Sequence, residues 1–210
     1  RDPLWSRGLG DVYKRQLYYD VEEYEKAAEE YRIFLTAYGD VAVRIGFAPD
    51  KVYFRIAQCY QMMTRSAAQS GDSETQRSYA QKALELYNKI LLEHEDSNMV
   101  PDVHFSIGYV KQLQGDSTAE NSYQFMVDNF SDHPAAPNAL QQLARLSYER
   151  GAYDEARERY EELVDKYPDS DVISASYMEL GLTMKYLDDL PKAIAFFEHC
   201  LLYTSDAADE

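Results

Sequence analysis

The stretch ALQQLARLSYERGAYDEARERYEELVDKYPDS, residues 139–170, decides the fold of this chain. Within it, large side chains follow Ala156 at Tyr160, Leu163 and Tyr167, which are offsets of 4, 7 and 11 residues. Residues at these offsets lie on one face of an α-helix. A second helical pattern precedes this one, and its small residue Ala144 lies 12 residues before Ala156. The stretch therefore predicts two antiparallel helices that approach closely through small side chains.

The same pair of signals recurs along most of the chain, which indicates an internal repeat. Alanines followed four residues later by an aromatic residue are Ala27, Ala83, Ala119, Ala156 and Ala193. The small residues of the preceding helices are Ala57, Gly108, Ala144 and Gly181, at intervals of 51, 36 and 37 residues. A polar insertion near 65–78 explains the long first interval. The pattern predicts helices near 22–38, 50–64, 79–94, 102–114, 118–130, 135–150, 153–166 and 171–187, and from 190 onward.

This pattern resembles the tetratricopeptide repeat family, whose units pair two antiparallel helices. The residues that carry the resemblance are Leu180-Gly181 on a first helix, and Ala144, Ala156 and Pro168 at the family's spacing. The resemblance implies an all-α fold, a right-handed superhelical solenoid of helix pairs. About four and a half repeats would then occupy residues 17–199.

Both ends of the chain resemble translated library adapter. One back-translation of DVYKRQ, residues 11–16, resembles a transposase recognition end, and CLLYTS, residues 200–205, matches a translation of the reverse complement of that DNA. We expect residues 1–16 and 200–210 to be adapter-derived, so that the chain is a fragment without its natural N-terminus. The first repeat would lack its first helix and the last helix would be cut. Self-association through the apolar ends is the predicted consequence.

The composition excludes several classes of function. The net charge of −16 argues against nucleic-acid binding, which needs clustered Lys and Arg. No apolar run approaches the roughly 18 residues of a membrane span, so no membrane insertion is expected in this segment. Two cysteines cannot form a disulfide framework, and Cys59 falls among predicted core positions.

Residue patterns for catalysis are lacking in the sequence. The four histidines form no His-x-x-x-His pair or Cys/His cluster, so neither a metal nor another cofactor is predicted. His94 and His104 are expected to pack in partly buried positions. GDVAVRIG, residues 39–46, lacks the Lys-Ser/Thr of a phosphate-binding loop. We therefore predict a chain that is not an enzyme.

The family resemblance implies a binding surface on the concave side, lined by the first helix of each repeat. Its positions fall three residues before, and one, four and five residues after, each small residue. The predicted peptide-binding residues are Phe54, Gln58, Gln61, Phe105, Tyr109, Gln112, Gln141, Arg145, Tyr148, Met178, Leu182 and Lys185. Met62, Leu113, Glu149 and Tyr186 complete the pattern.

Two functions are compatible with these features. The first is a non-catalytic scaffold that binds a peptide or partner protein. The alternative is a regulatory repeat segment of a larger enzyme or signalling protein. YPDS at 167–170, followed by a helix, resembles repeats of bacterial envelope proteins, which favours the periplasm or cell envelope; a cytoplasmic location is the alternative.

Overall fold

The computed structural model describes residues 14–44 and 48–206, and all regular structure in these ranges is α-helical. A helical stretch at residues 14–20 is designated α1. The helices that follow are α2 (Tyr24–Arg44), α3 (Pro49–Ser70), α4 (Ser73–Glu93), α5 (Val100–Leu113), α6 (Ala119–Asn129), α7 (Ala136–Glu149), α8 (Tyr153–Lys166), α9 (Ile173–Tyr186) and α10 (Leu190–Asp206). The predicted all-α class is confirmed.

The small residues that define the repeat are all buried. Ala27, Ala83 and Ala156 have no exposed surface, and Ala119 and Ala193 are at most 3% exposed. The first-helix positions Ala57, Gly108, Ala144 and Gly181 are also buried. At Gly181 a Cβ atom would lie only 2.6 Å from Cε1 of Phe197, so this glycine permits the close approach of α10 to α9. Close contact between helices therefore depends on the absence of side-chain volume at these positions.

The residues of the predicted insertion lengthen two helices. α3 continues to Ser70 and α4 begins at Ser73, so the predicted helix limits near 64 and 79 are wrong. Helix α3 ends at Gly71, whose φ of 76° suits a residue without a side chain. The side chain of Asp72 then caps α4 by accepting a hydrogen bond from the backbone N–H of Thr75 at 3.1 Å. The buried Ala67 anchors the added turns of α3 to the core.

The turns within the helix pairs α3/α4, α5/α6, α7/α8 and α9/α10 each contain one residue in the left-handed backbone conformation. This residue is Gly71, Gly115 or Gly151 in the first three turns, whereas Asp188 adopts a φ of 61° between α9 and α10. A side chain in this conformation costs about 1–2 kcal/mol unless it is Asn or Asp, which tolerate it better. The turn geometry is thus the same in repeats with and without glycine.

The chain forms two compact units, divided between Ala119 and Glu120. In the first unit, Tyr87 packs with Phe54 and Ile107, and its hydroxyl donates a hydrogen bond to Oε1 of Gln61 at 2.8 Å. In the second unit, α7, α8, α9 and α10 share a core. The residues of that core are Ala144, Ala156, Tyr160, Leu180, Met184 and Ala193.

A network of ion pairs connects α6, α7 and α8 in the second unit. Glu120 binds Arg150 at 2.6 Å and Arg159 at 2.8 Å, and Glu155 binds the same two guanidinium groups at 2.6 and 2.7 Å. Arg159 also donates to the carbonyl of Leu143 at 2.9 Å. Arg159 is 17% exposed and Arg150 is 42% exposed, so solvent screens the ion pairs of Arg159 less than those of Arg150.

Much of the predicted adapter sequence lies outside the described residues. Residues 14–16 belong to α1 and residues 200–206 to α10, and their origin stays a prediction. On α10, Leu190 and Ile194 expose more than half of their surface. Among the described residues, no helix combines the length and apolar character needed to cross a membrane.

Candidate functional site

The first unit buries one of its predicted binding residues. Phe54 is 8% exposed, and its ring centroid lies 5.8 Å from that of Tyr87. Helix α5 covers this position of α3, since Phe54 shares a cluster with Val103 and Ile107, and a peptide-binding role for Phe54 stays a prediction that this burial disfavours. Phe54 is a core residue.

The other predicted residues of the first unit are half-buried. Gln58 accepts a hydrogen bond from Arg55 at 3.0 Å, and Gln61 accepts one from Tyr87 at 2.8 Å. Phe105, Tyr109 and Gln112 lie half-buried along α5. The amide oxygens on α3 thus already have partners within the unit, which leaves less hydrogen-bonding capacity for a ligand.

In the second unit, Gln141 of α7 is also buried. It is 7% exposed and its amide donates to Oε2 of Glu179 on α9 at 3.2 Å. A direct peptide contact by Gln141 stays a prediction that burial disfavours, as for Phe54, because the next first helix covers the position three residues before the small residue. Gln141 instead orients a carboxylate.

The remaining predicted residues of this unit form one surface. Met178, Leu182 and Tyr186 are spaced by four residues on α9 and are 46%, 36% and 58% exposed. Residues four apart lie on one helix face. We call the surface formed by Arg145, Tyr148, Met178, Leu182, Lys185 and Tyr186 the α7/α9 surface. It combines exposed apolar side chains with cationic ones.

A small pocket opens between the two helices of this surface. Its volume is about 180 Å³, and its lining residues are Arg145, Tyr148, Glu149, Tyr160, Glu179 and Leu182. We call it the Glu179 pocket. Nε of Arg145 lies 3.4 Å from Oε1 of Glu179, so the two oxygens of this carboxylate face Arg145 and Gln141 respectively.

Burial dominates the electrostatics of the pocket. It raises the pKa of Glu179 above its usual value, and the charge of Arg145 offsets this only in part. Burial, followed by the negative charge of Glu179, also raises the pKa of Tyr160. The Tyr160 hydroxyl has no surface exposed to solvent and no hydrogen-bond partner of acceptable geometry. Two polar groups here are therefore only partly compensated, which is typical of ligand sites.

Three tyrosine rings fix one wall of the pocket. The ring of Tyr148 meets those of Tyr153 and Tyr186 edge to face, at 5.4 and 5.5 Å between centroids. Tyr153 and Tyr186 stack at 4.8 Å. Such packing restrains the side chains and provides a rigid contact area.

Two residues of this site, Glu179 and Tyr160, lie outside the predicted binding positions. Glu179 lies two residues before Gly181, outside the positions carried over from the family, and Tyr160 belonged to the predicted helix core. The sequence does contain a pattern that points to Glu179: the position two residues before each small residue is polar in every repeat. Its occupants are Arg55, Ser106, Gln142 and Glu179.

The predicted packing roles of Cys59 and two histidines agree with their surroundings. Cys59 is fully buried, and burial raises the pKa of its thiol to about 12. His104 is half-buried, and burial lowers its pKa. The ring centroid of His94 lies 6.1 Å from that of Tyr53. Within the described ranges, no three His, Cys, Asp or Glu side chains are grouped so that they could hold a metal ion.

Comparison with known families and structures agrees with this architecture. The sequence model described as the tetratricopeptide repeat matches residues 138–170, which span α7, α8 and the Tyr167–Ser170 turn. Residues 138–170 are thus similar to a tetratricopeptide repeat. A search of curated proteins gave no match.

Several solved protein structures are similar over nearly the whole chain. A crystal structure of MamA has a TM-score of 0.65 at 14% identity, covering 93% of this chain and 97% of that one. YrrB is described as a TPR protein with an unusual peptide-binding site. Its structure has a TM-score of 0.55 at 17% identity, and the match covers 91% of this chain and 83% of YrrB. The structure of BtubC from P. vanneervenii has a TM-score of 0.60 at 16% identity, and the match covers 98% of this chain and 91% of BtubC. At these identities the similarity shows the fold.

Proposed function

We propose that the chain is a non-catalytic scaffold that binds a peptide segment of a partner protein on the α7/α9 surface. The observation that carries the proposal is the stripe of Met178, Leu182 and Tyr186, exposed beside a pocket with incompletely compensated polar groups. Exposed apolar side chains next to fixed polar groups are typical of binding sites. YrrB, one of the similar folds, is described as having a peptide-binding site, which supports the same kind of ligand here.

The second unit supports this role better than the first. Its helix α9 exposes large apolar residues, whereas Phe54 is buried and Gln58 and Gln61 already have intramolecular partners. A rigid aromatic group beside the pocket lowers the entropy lost on binding. Peptide contacts with residues of α3 and α5 remain predicted, and they would add to the binding site on the α7/α9 surface.

Selection of displayed random peptides on the immobilised full chain tests the proposal. We expect selected peptides to bind Met178→Ala and Leu182→Ala at least about tenfold more weakly, since central apolar contacts are often worth more than 1 kcal/mol. Ile194→Ala is the matched control, because Ile194 is an exposed apolar residue on α10. A library that yields no binder, or binders equally insensitive to all three variants, would refute the proposed surface.

A cell-envelope setting is a finer prediction that rests on the Tyr167–Ser170 sequence. The gene that encodes this chain and the neighbouring genes test it. A leader sequence and neighbouring envelope genes are expected. A catalytic domain in the same reading frame would instead support the regulatory segment of a larger enzyme.

A further inference from the structure

The Glu179 pocket has a net negative lining. It contains the carboxylates of Glu149 and Glu179 and a single guanidinium, that of Arg145. Arg145 is 46% exposed and contacts only one oxygen of Glu179. Both carboxylates line the same small pocket, so their negative charges lie close together there. A cationic ligand group would relieve the repulsion between these charges.

The floor of the pocket provides a third acceptor. Tyr160 lines the pocket, and its fully buried hydroxyl lies beside Glu179 without making a hydrogen bond of good geometry. A hydroxyl oxygen can accept from an ammonium group. The pocket thus offers three acceptor groups, Glu149, Glu179 and Tyr160, to a ligand with up to three N–H donors.

The walls of the pocket are apolar where a side-chain stem would pass. Tyr148 and Leu182 line it, and the contacts of Tyr148 with Tyr153 and Tyr186 hold that ring in place. Lysine has a four-carbon apolar stem and a compact head with three donors. The volume of about 180 Å³ limits the ligand to a single side chain.

From these features we infer that the Glu179 pocket binds a lysine side chain of the partner peptide. This inference rests on the proposed function, since the rest of the peptide would lie on the α7/α9 surface. The net charge of −16 of the chain favours a basic partner at longer range. Arginine is expected to bind more weakly, because its planar fork is larger than an ammonium group.

Peptide selection in parallel on three forms of the full chain tests the inference. The wild type should enrich lysine at one fixed position. The double variant Glu149→Gln/Glu179→Gln should still select peptides with apolar residues but without that lysine. Glu158→Gln/Glu162→Gln changes the net charge equally at exposed positions of α8 and should keep the lysine.

Replacing the enriched lysine by norleucine then isolates the pocket. For the wild type we expect Kd to rise at least tenfold, and for Glu149→Gln/Glu179→Gln to change less than twofold. Enrichment of acidic residues, no enriched lysine, or a norleucine effect equal in both proteins would overturn the inference. If selected peptides still depend on Met178 and Leu182, the proposed function survives that outcome; if none does, both fail.

Discussion

Oε1 of Glu179 lies 3.4 Å from Nε of Arg145, on facing sides of α9 and α7 in the second unit. The carboxylate is largely buried: 20% of its side chain is exposed, compared with 46% for Arg145. Gln141 holds its second oxygen. Burial outweighs both partners and raises the pKa of Glu179, so the ionised carboxylate costs the folded state free energy.

We predict that Glu179→Gln raises the unfolding temperature at neutral pH. The folded pKa of Glu179 lies above its ordinary value of 4.5, so the folded state binds this proton more tightly than the unfolded state. The wild type should therefore recover stability as the pH falls towards 4.5, and the advantage of the variant should shrink. Thermal unfolding of both proteins across this pH range measures the difference. A variant less stable than wild type at neutral pH would show that the ion pair with Arg145 dominates instead.

Whereas Glu179→Gln should raise stability, removal of Arg159 from its ion-pair network should lower it. Arg159 donates to Glu120, to Ser147 at 2.8 Å and to the carbonyl of Leu143, so its removal leaves several partly buried acceptors without a donor. We expect Arg159→Met to lower the free energy of unfolding by about 2 kcal/mol. Arg157→Met, two residues away, removes only pairs with Asp154, Glu158 and Glu161 and should cost less than about 1 kcal/mol. Equal losses in urea unfolding would argue against the network.

Acid should weaken this network through Glu120. Burial acts to raise the pKa of Glu120, but hydrogen bonds from Arg150 and Arg159 outweigh it and leave the pKa below its ordinary value of 4.5. A lowered folded pKa means that the stabilisation is complete above 4.5 and is lost as the pH falls through the folded pKa. We expect Glu120→Gln to lose less stability than wild type between about pH 5 and about pH 3. Parallel acid-unfolding curves for the two proteins would contradict the assignment.

The left-handed turn residues allow a test of the repeat geometry. Gly151 has a φ of 79° and space for a Cβ atom, so Gly151→Ala should cost about 1–2 kcal/mol through backbone strain alone. Asp188 adopts a φ of 61° at the corresponding turn between α9 and α10, and Asp188→Gly should be neutral or stabilise by up to about 1 kcal/mol. Denaturant unfolding of both variants measures these effects. A stabilised Gly151→Ala would show that the turn does not require this conformation.

The repeat pattern predicted the fold because it depends on local volume. A helix pair can pack closely only where the side chain is small, so Ala83, Ala156 and Gly181 identify contact positions without knowledge of the neighbours. The same reasoning failed between residues 65 and 78, where a polar sequence suggested an insertion outside the helices. The helical pattern in fact continues there to Ser70, with Thr64 and Ala67 buried.

The site was less predictable, because exposure depends on which helix follows. Phe54, Gln141 and Met178 occupy equivalent positions, three residues before the small residue. The first two are covered by the next first helix, whereas Met178 is 46% exposed. No following first helix lies within the described residues after α10. Glu179 and Tyr160 escaped prediction because their importance arises from burial against each other, which no spacing rule expresses.

Methyl spectra of the methionines test the proposed binding surface most directly. The chain has six methionines, and Met178 is exposed on the α7/α9 surface while Met126 is fully buried in α6. On saturation with a selected peptide, we predict that the ¹³C-methyl signal of Met178 shifts and that the signals of Met99 and Met126 stay in place. Binding that moves Met99 or Met126 and leaves Met178 unchanged would contradict the account.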